Sequence, residues 1–164
     1  MKGEHRTTWS RRMALAALAL LGLCAAGYLT LFQLGVISSV WDPFFRSREV
    51  LGFLDFPDAA LGVLAYGTEI VLSLIGGRER SRTMPWVVLA FGLVILCGAL
   101  VSVLLIVVQP LVVGAWCTLC LASAAISLAI FGWGMDEPLA ALHHLRRASA
   151  SGGSAWRALW GLDA

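Results

Sequence analysis

The sequence predicts an all-α polytopic membrane protein: a four-transmembrane-helix bundle with an extracytoplasmic capping helix or loop. Three observations predict it. The chain is 59% hydrophobic and only 13% charged, with a mean hydropathy of +0.83, which is far too apolar for a soluble domain of its size. Its apolar residues gather into four runs, at residues 13–40, 58–75, 85–108 and 111–133. Each is about as long as the ~20 residues that carry a helix across ~30 Å of hydrocarbon. Membrane β-strands would alternate and be about half as long. Finally, the basic residues are distributed asymmetrically. Lys2, Arg6, Arg11 and Arg12 precede the first run, Arg78, Arg80 and Arg82 lie between the second and third, and Arg146, Arg147 and Arg157 follow the fourth. Only Arg46 and Arg48 fall on the other side, accompanied by Asp42, Glu49, Asp55 and Asp58. The excess of positive charge on cytoplasmic loops then puts both termini in the cytoplasm.

The first run reads as a retained helix. Its basic flank suits a signal peptide, but the apolar stretch continues past Ala25-Ala26 to Ile37, longer than a signal core. Leu21-Gly22-Leu23-Cys24 is no lipoprotein cleavage site, since Leu23 is not small. The outer segment, about residues 41–57, opens with Trp41-Asp42-Pro43-Phe44-Phe45, an aromatic anchor followed by a helix start with Asp42 as cap and Pro43 at the first helical position. A short helix there turns Phe44, Phe45, Val50, Leu51, Phe53 and Leu54 toward the bundle mouth. An ordinary amphipathic connector has the same pattern.

The second run starts at Asp58, after Pro57, where a plain helix cap is the simple role. It carries Tyr66 and Glu69. An acid inside a membrane helix is a functional suspect, though a tilt toward the inner interface or a pairing across helices also accounts for it. Gln33, Tyr28, Thr30 and Tyr66 are candidates to line a polar interior, with helix–helix hydrogen bonding as the milder account. Cys24 and Cys97 read as small apolar packing. Gly92 and Gly98, or Ala122 and Ser123, let helices approach closely.

The fourth run holds Trp116-Cys117-Thr118-Leu119-Cys120, the stretch that carries chemistry. Counted from the turn at Gln109-Pro110, both thiols fall within roughly 10–15 Å of the helix's outer end. Residues three apart share a helix face, so the two sulfurs can bond reversibly, on the oxidising side of the membrane. The first cysteine is expected to be the more accessible. Helix-dipole stabilisation of its thiolate and the opposing effect of burial stay unresolved at this level. Redox use, inert packing and zinc are the three readings of the pair. Zinc is the weakest, because His5, His143 and His144 lie at the opposite membrane face. With no nucleotide fingerprint and no haem-attachment His after the pair, a lipid-soluble quinone is the simplest two-electron partner. No metal and no nucleic acid are expected.

Residues 1–134 form the transmembrane domain, and residues 135–164 a cytoplasmic amphipathic and flexible tail. Asp136-Glu137-Pro138 starts its helix, and Leu139, Leu142 and Leu145 with Arg146-Arg147 suggest an interfacial segment. Residues 149–154 read as a flexible link to an end carrying Trp156 and Trp160.

Four helices with both ends inside, an outer capping segment and a Trp-Cys-x-x-Cys near the outer start of the last helix resemble the vitamin K epoxide reductase family in its bacterial branch. The resemblance covers roughly residues 14–133. It rests on Gly27-Tyr28-Leu29-Thr30, Ser47-Arg48-Glu49-Val50-Leu51, Asp58-Ala59-Ala60-Leu61-Gly62 with Tyr66, and residues 114–123 in the expected order. Only the cysteine pair is specific. The resemblance implies a quinone-linked thiol–disulfide oxidoreductase of the bacterial inner membrane, with Cys117 and Cys120 as redox centre. It implies ubiquinone or menaquinone near Asp58, Trp116 and Tyr66, and an extracytoplasmic thioredoxin-like partner. The chain departs from the family in one respect: the usual two further cysteines of the outer segment are missing, since residues 25–96 contain none, and Ser39 and Ser47 stand near their places. Either a partner's thiols reach Cys117 directly, or the cycle is partial, or the bundle is a non-catalytic membrane scaffold or lipid- or quinone-binding module.

Overall fold

A computed structural model describes residues 9–38, 58–75, 83–114, 116–150, 157, 159 and 160. The expected capping segment, with Ser39 and Ser47, and the basic segment holding Arg78, Arg80 and Arg82 lie outside the described residues. So do Trp156 and most of the Ser/Gly link. All described regular structure is helical: α1 (Trp9–Gln33), α2 (Asp58–Leu74), α3 (Pro85–Val108), a π-helical turn (Gln109–Val113), α4 (Thr118–Gly134) and α5 (Asp136–Ala150).

Among the described residues, two helices are long and apolar enough to cross a membrane, α1 and α3 with its π-turn. A third span results if α4 and α5, bent by 40° at Met135, are taken as one broken crossing. Helix α2 is apolar but has 17 residues, about 25 Å of helix. The outward faces are those of a membrane protein. Leu20, Leu21, Leu64, Leu93, Leu100 and Leu104 are each more than half exposed, an arrangement water would penalise and lipid does not.

Two helix ends differ from the apolar runs. Helix α1 begins at Trp9, inside the basic flank, and stops at Gln33, short of the predicted residue 40. The stop is Gly35, whose φ of 74° places it in the left-handed region that glycine tolerates. The Gly35 N–H donates to the Phe32 carbonyl and the Val36 N–H to the Leu31 carbonyl, both at 3.0 Å, which is the paired closure of a Schellman motif. The second difference is at the turn after α3. Pro110 has no N–H for a regular helix, and the chain passes it in a wide π-turn. Gly114 at φ 69° then ends that turn, so α4 starts only at Thr118.

The core lies where small residues admit large ones. Ala19, Ala26, Tyr66, Phe91, Ile95 and Ile130 are buried together. Gly22 of α1 lies under the Tyr66 ring, and a Cβ there would overlap it. Gly92 of α3 admits Pro138 of α5 in the same way.

Helix α5 is packed under the bundle, against α3 and α4. Its start is tied to α1 by two ion pairs: Arg11 to Asp136 at 2.6 Å and Arg12 to Glu137 at 3.4 Å. Arg11 also donates to the Trp133 carbonyl at 2.6 Å. Arg12 is only 2% exposed, so this pair is a buried one. Asp136 and Glu137 in the first turn and Arg147 in the last complement the helix dipole. The helix continues to Ala150, through the first residues predicted to be a flexible link. Further along, the Trp160 ring meets Trp86 at the start of α3, with centroids 5.9 Å apart.

Candidate functional site

Because α4 starts at Thr118, the two cysteines sit at the very end of the helix. Cys117 is its N-cap, with extended backbone (φ −119°, ψ 112°), and Cys120 lies in its first turn. The structure joins them in a disulfide, with Cα atoms 5.2 Å apart. The Cys120 N–H donates to the Cys117 sulfur at 3.1 Å, so the sulfur takes the place of the Ser or Asp oxygen usual at an N-cap. The Leu121 N–H donates to the Cys117 carbonyl at 2.9 Å and opens the helical ladder.

A side chain that the sequence gave no reason to single out fixes this corner. Gln109, 2% exposed, accepts the Cys117 N–H through Oε1 at 3.0 Å. The π-turn is what aims it there, by carrying the chain from Gln109 round to the start of α4. Sequence spacing alone offers no signal for this contact.

Accessibility runs opposite to the expectation. Cys117 is completely buried, whereas Cys120 is partly exposed. The N-cap position tucks the first sulfur under the turn, while the second emerges on the helix flank. Trp116, next to Cys117 in the chain, is 37% exposed, and Leu111 and Val112 of the π-turn are 78% and 58% exposed. The exposed side chains of the segment leading to the pair are therefore apolar and partly aromatic.

Tyr66 lies one turn deeper. Its hydroxyl donates to the Ser123 carbonyl at 2.7 Å and shares hydrogen bonds with the hydroxyls of Ser123 at 2.9 Å and Ser127 at 2.8 Å. Ser123, expected only to let helices pack closely, is thus a polar link between α2 and α4, one turn beyond Cys120. Thr30 returns its hydroxyl to the Ala26 carbonyl of its own helix at 2.8 Å. The Gln33 side chain accepts the Ala59 N–H at 3.2 Å and so caps α2 from α1. Asp58 begins α2, and its side chain lies outside the described residues. Cys24 and Cys97 are free thiols on exposed helix faces.

Glu69 is neither tilted out to the interface nor fully paired. It is 2% exposed, and its Oε2 has no hydrogen-bond partner among the described residues. Its Oε1 lies beside Gly98 of α3, 3.5 Å from where a Cβ would be.

Among known protein families, the model for the vitamin K epoxide reductase family matches residues 13–134, from within α1 to the end of α4. No curated protein and no solved structure matches the chain.

Proposed function

The chain belongs to the vitamin K epoxide reductase family, and on that premise we propose that it is a quinone-linked thiol–disulfide oxidoreductase of the bacterial inner membrane. In this reading α1 to α4 all cross the bilayer, both termini are cytoplasmic, and the start of α4 opens on the outer side. The observation that carries it is the bonded Cys117–Cys120 pair at a helix N-terminus, with its first residue pinned by a buried glutamine.

The geometry supports a division of labour between the sulfurs. Cys120, partly exposed, is the sulfur an incoming thiolate reaches. Attack there breaks the disulfide and releases the Cys117 sulfur as thiolate. That sulfur already accepts the Cys120 N–H and stands at the positive end of the α4 dipole, both of which stabilise negative charge. A stabilised thiolate is the better leaving group in thiol–disulfide exchange. A second attack on the mixed disulfide, by the partner's other thiolate on the partner's own sulfur, expels Cys120, releases the partner as its own disulfide and leaves Cys117 and Cys120 as two thiols.

The residues leading to the pair fit a quinone: the pair yields two electrons together, and exposed Trp116, Leu111 and Val112 offer an apolar ring ligand a wall reached from the lipid. Bound there, ubiquinone or menaquinone supplies an acceptor for two electrons and two protons. Asp58, at the start of α2, and Tyr66 are the further candidates to orient it. The donor is a secreted thioredoxin-like protein whose thiols reach the pair directly, since this chain has no cysteine in residues 25–96 to relay them.

That same absence favours a second reading, a family bundle retained as a non-catalytic scaffold or lipid-binding module. Dithiol-driven quinone reduction by purified protein separates the two. Under the enzymatic reading, Cys117→Ala and Cys120→Ala each reduce the rate to background; parental rates in both variants would leave the scaffold.

A further inference from the structure

We propose that Glu69 is a proton-loading site for the cysteine pair, with the hydroxyls of Ser123, Tyr66 and Ser127 placed between the two. The inference rests on the redox reading of Cys117 and Cys120. Four observations carry it. Glu69 is a carboxyl group in the interior of an apolar bundle, 2% exposed, with one oxygen unpartnered among the described residues. An ionisable side chain is costly at such a place, and where proteins keep one it often serves proton transfer. Gly98 leaves the carboxyl room, since its missing Cβ would stand 3.5 Å from Oε1. Finally, Tyr66, one turn above Glu69 on α2, bonds to two serine hydroxyls at 2.9 and 2.8 Å.

Those three hydroxyls form a short file. Ser123 is one turn after Cys120 on α4, Ser127 one turn further, and Tyr66 bridges them from α2. Each hydroxyl carries one proton and can accept others; Tyr66 donates its own to the Ser123 carbonyl at 2.7 Å and accepts from the two serines, so a proton passes along the file when the Tyr66 O–H turns from that carbonyl to a serine oxygen. One helical turn separates each end of the file from its terminus, Cys120 above and Glu69 below.

The step balances as follows. When the pair is oxidised, two S–H bonds break, one S–S bond forms, and two electrons and two protons leave for the quinone. Glu69 is the transit site for one of the two: its carboxylate takes the Cys120 proton as the thiolate forms, and after the electron pair has passed to the quinone the carboxylic acid gives that proton back along the hydroxyls to one quinone oxygen, the Cys117 proton going to the other. No other acid or base is required. Helix α1 carries Arg11 and Arg12, already paired at its start, and Cys24 and Tyr28. Helix α3 carries Cys97 as its one titratable side chain, and α4 the cysteine pair itself.

Glu69→Gln keeps the shape and removes the proton acceptor; Tyr66→Phe keeps the ring against Gly22 and removes the link. Both are expected to slow dithiol-driven quinone reduction by roughly 100-fold, the usual size of a general acid–base contribution, and in Glu69→Gln the KM for quinone stays unchanged. Glu69→Gln should also lose one limb of the pH–rate profile. A second readout needs neither quinone nor turnover. Infrared difference spectra taken while the disulfide is reduced chemically should show a change in the carbonyl stretch of a protonated carboxylic acid, absent from Glu69→Gln. Parental rate and pH profile in Glu69→Gln, or a redox-linked carboxyl signal that survives in it, would overturn the proposal. Because the infrared change is read without quinone, a failure of the quinone assay in the parent protein would count against the enzymatic reading alone.

Discussion

Gln109 holds Cys117: the glutamine Oε1 accepts the cysteine N–H at 3.0 Å, and both residues are buried. The bond joins the end of the α3 span to the first residue of the α4 cap, across the π-turn that Pro110 occupies. Replacing Gln109 with Leu leaves a buried N–H without an acceptor, which costs about 1–3 kcal/mol. A lower thermal midpoint is expected, together with a shift in the Cys117–Cys120 redox equilibrium measured against a glutathione series. An unchanged equilibrium would show that the corner keeps its shape without the glutamine.

Gly22 and Tyr66 make a second prediction. A methyl group at residue 22 would overlap the Tyr66 ring, so Gly22→Ala must push that ring or separate α1 from α2. Overpacking of this kind costs about 1–3 kcal/mol. Unfolding in detergent should shift accordingly, while Gly27→Ala, which meets nothing within 4 Å, should be near neutral.

The starts of α1 and α5 are tied by Arg12 and Glu137, whose side chains are 2% and 10% exposed. Removing one partner strands a buried charge, so Glu137→Ala should destabilise by about 3 kcal/mol. Replacing both, as in Arg12→Met with Glu137→Leu, should recover most of that loss. A double-mutant cycle on thermal or denaturant unfolding measures the coupling. If the single and double variants are equally destabilised, the pair is not coupled.

The two sulfurs differ in access, and alkylation can read the difference. After reduction, Cys120 should react with a thiol reagent several-fold faster than Cys117, judged by mass spectrometry of the labelled peptides. In intact cells a membrane-impermeant reagent should reach the pair only from outside. Labelling from the cytoplasmic side alone would invert the proposed topology.

Much of the scaffold was legible in the residues. Pro85 starts α3 and Val108 ends it, the bounds of the third apolar run; Asp136-Glu137-Pro138 starts α5 as its composition predicts. These are local effects, in which a proline, an acidic first turn or a run of apolar side chains acts on its own helix. The stop of α1 was also local, written in Gly35, but the apolar residues that follow it masked the signal. Sequence spacing could not find Gln109 as the partner of Cys117, or Ser123 and Ser127 as partners of Tyr66, because each bond depends on how two segments meet.

By itself, the sequence determined that this chain is an apolar, helical membrane protein of the vitamin K epoxide reductase family with a cysteine pair on its last apolar run. Composition and short-range spacing are enough for the lipid solubility, the helices and the cysteine pair, which are properties of the chain alone, and the family follows from the match over residues 13–134. Only the tertiary structure decided that Cys117 is a buried cap, that Cys120 is the open sulfur, and that Glu69 lies inside the bundle. Burial and hydrogen bonding belong to pairs of surfaces, and those surfaces exist only once the helices have packed.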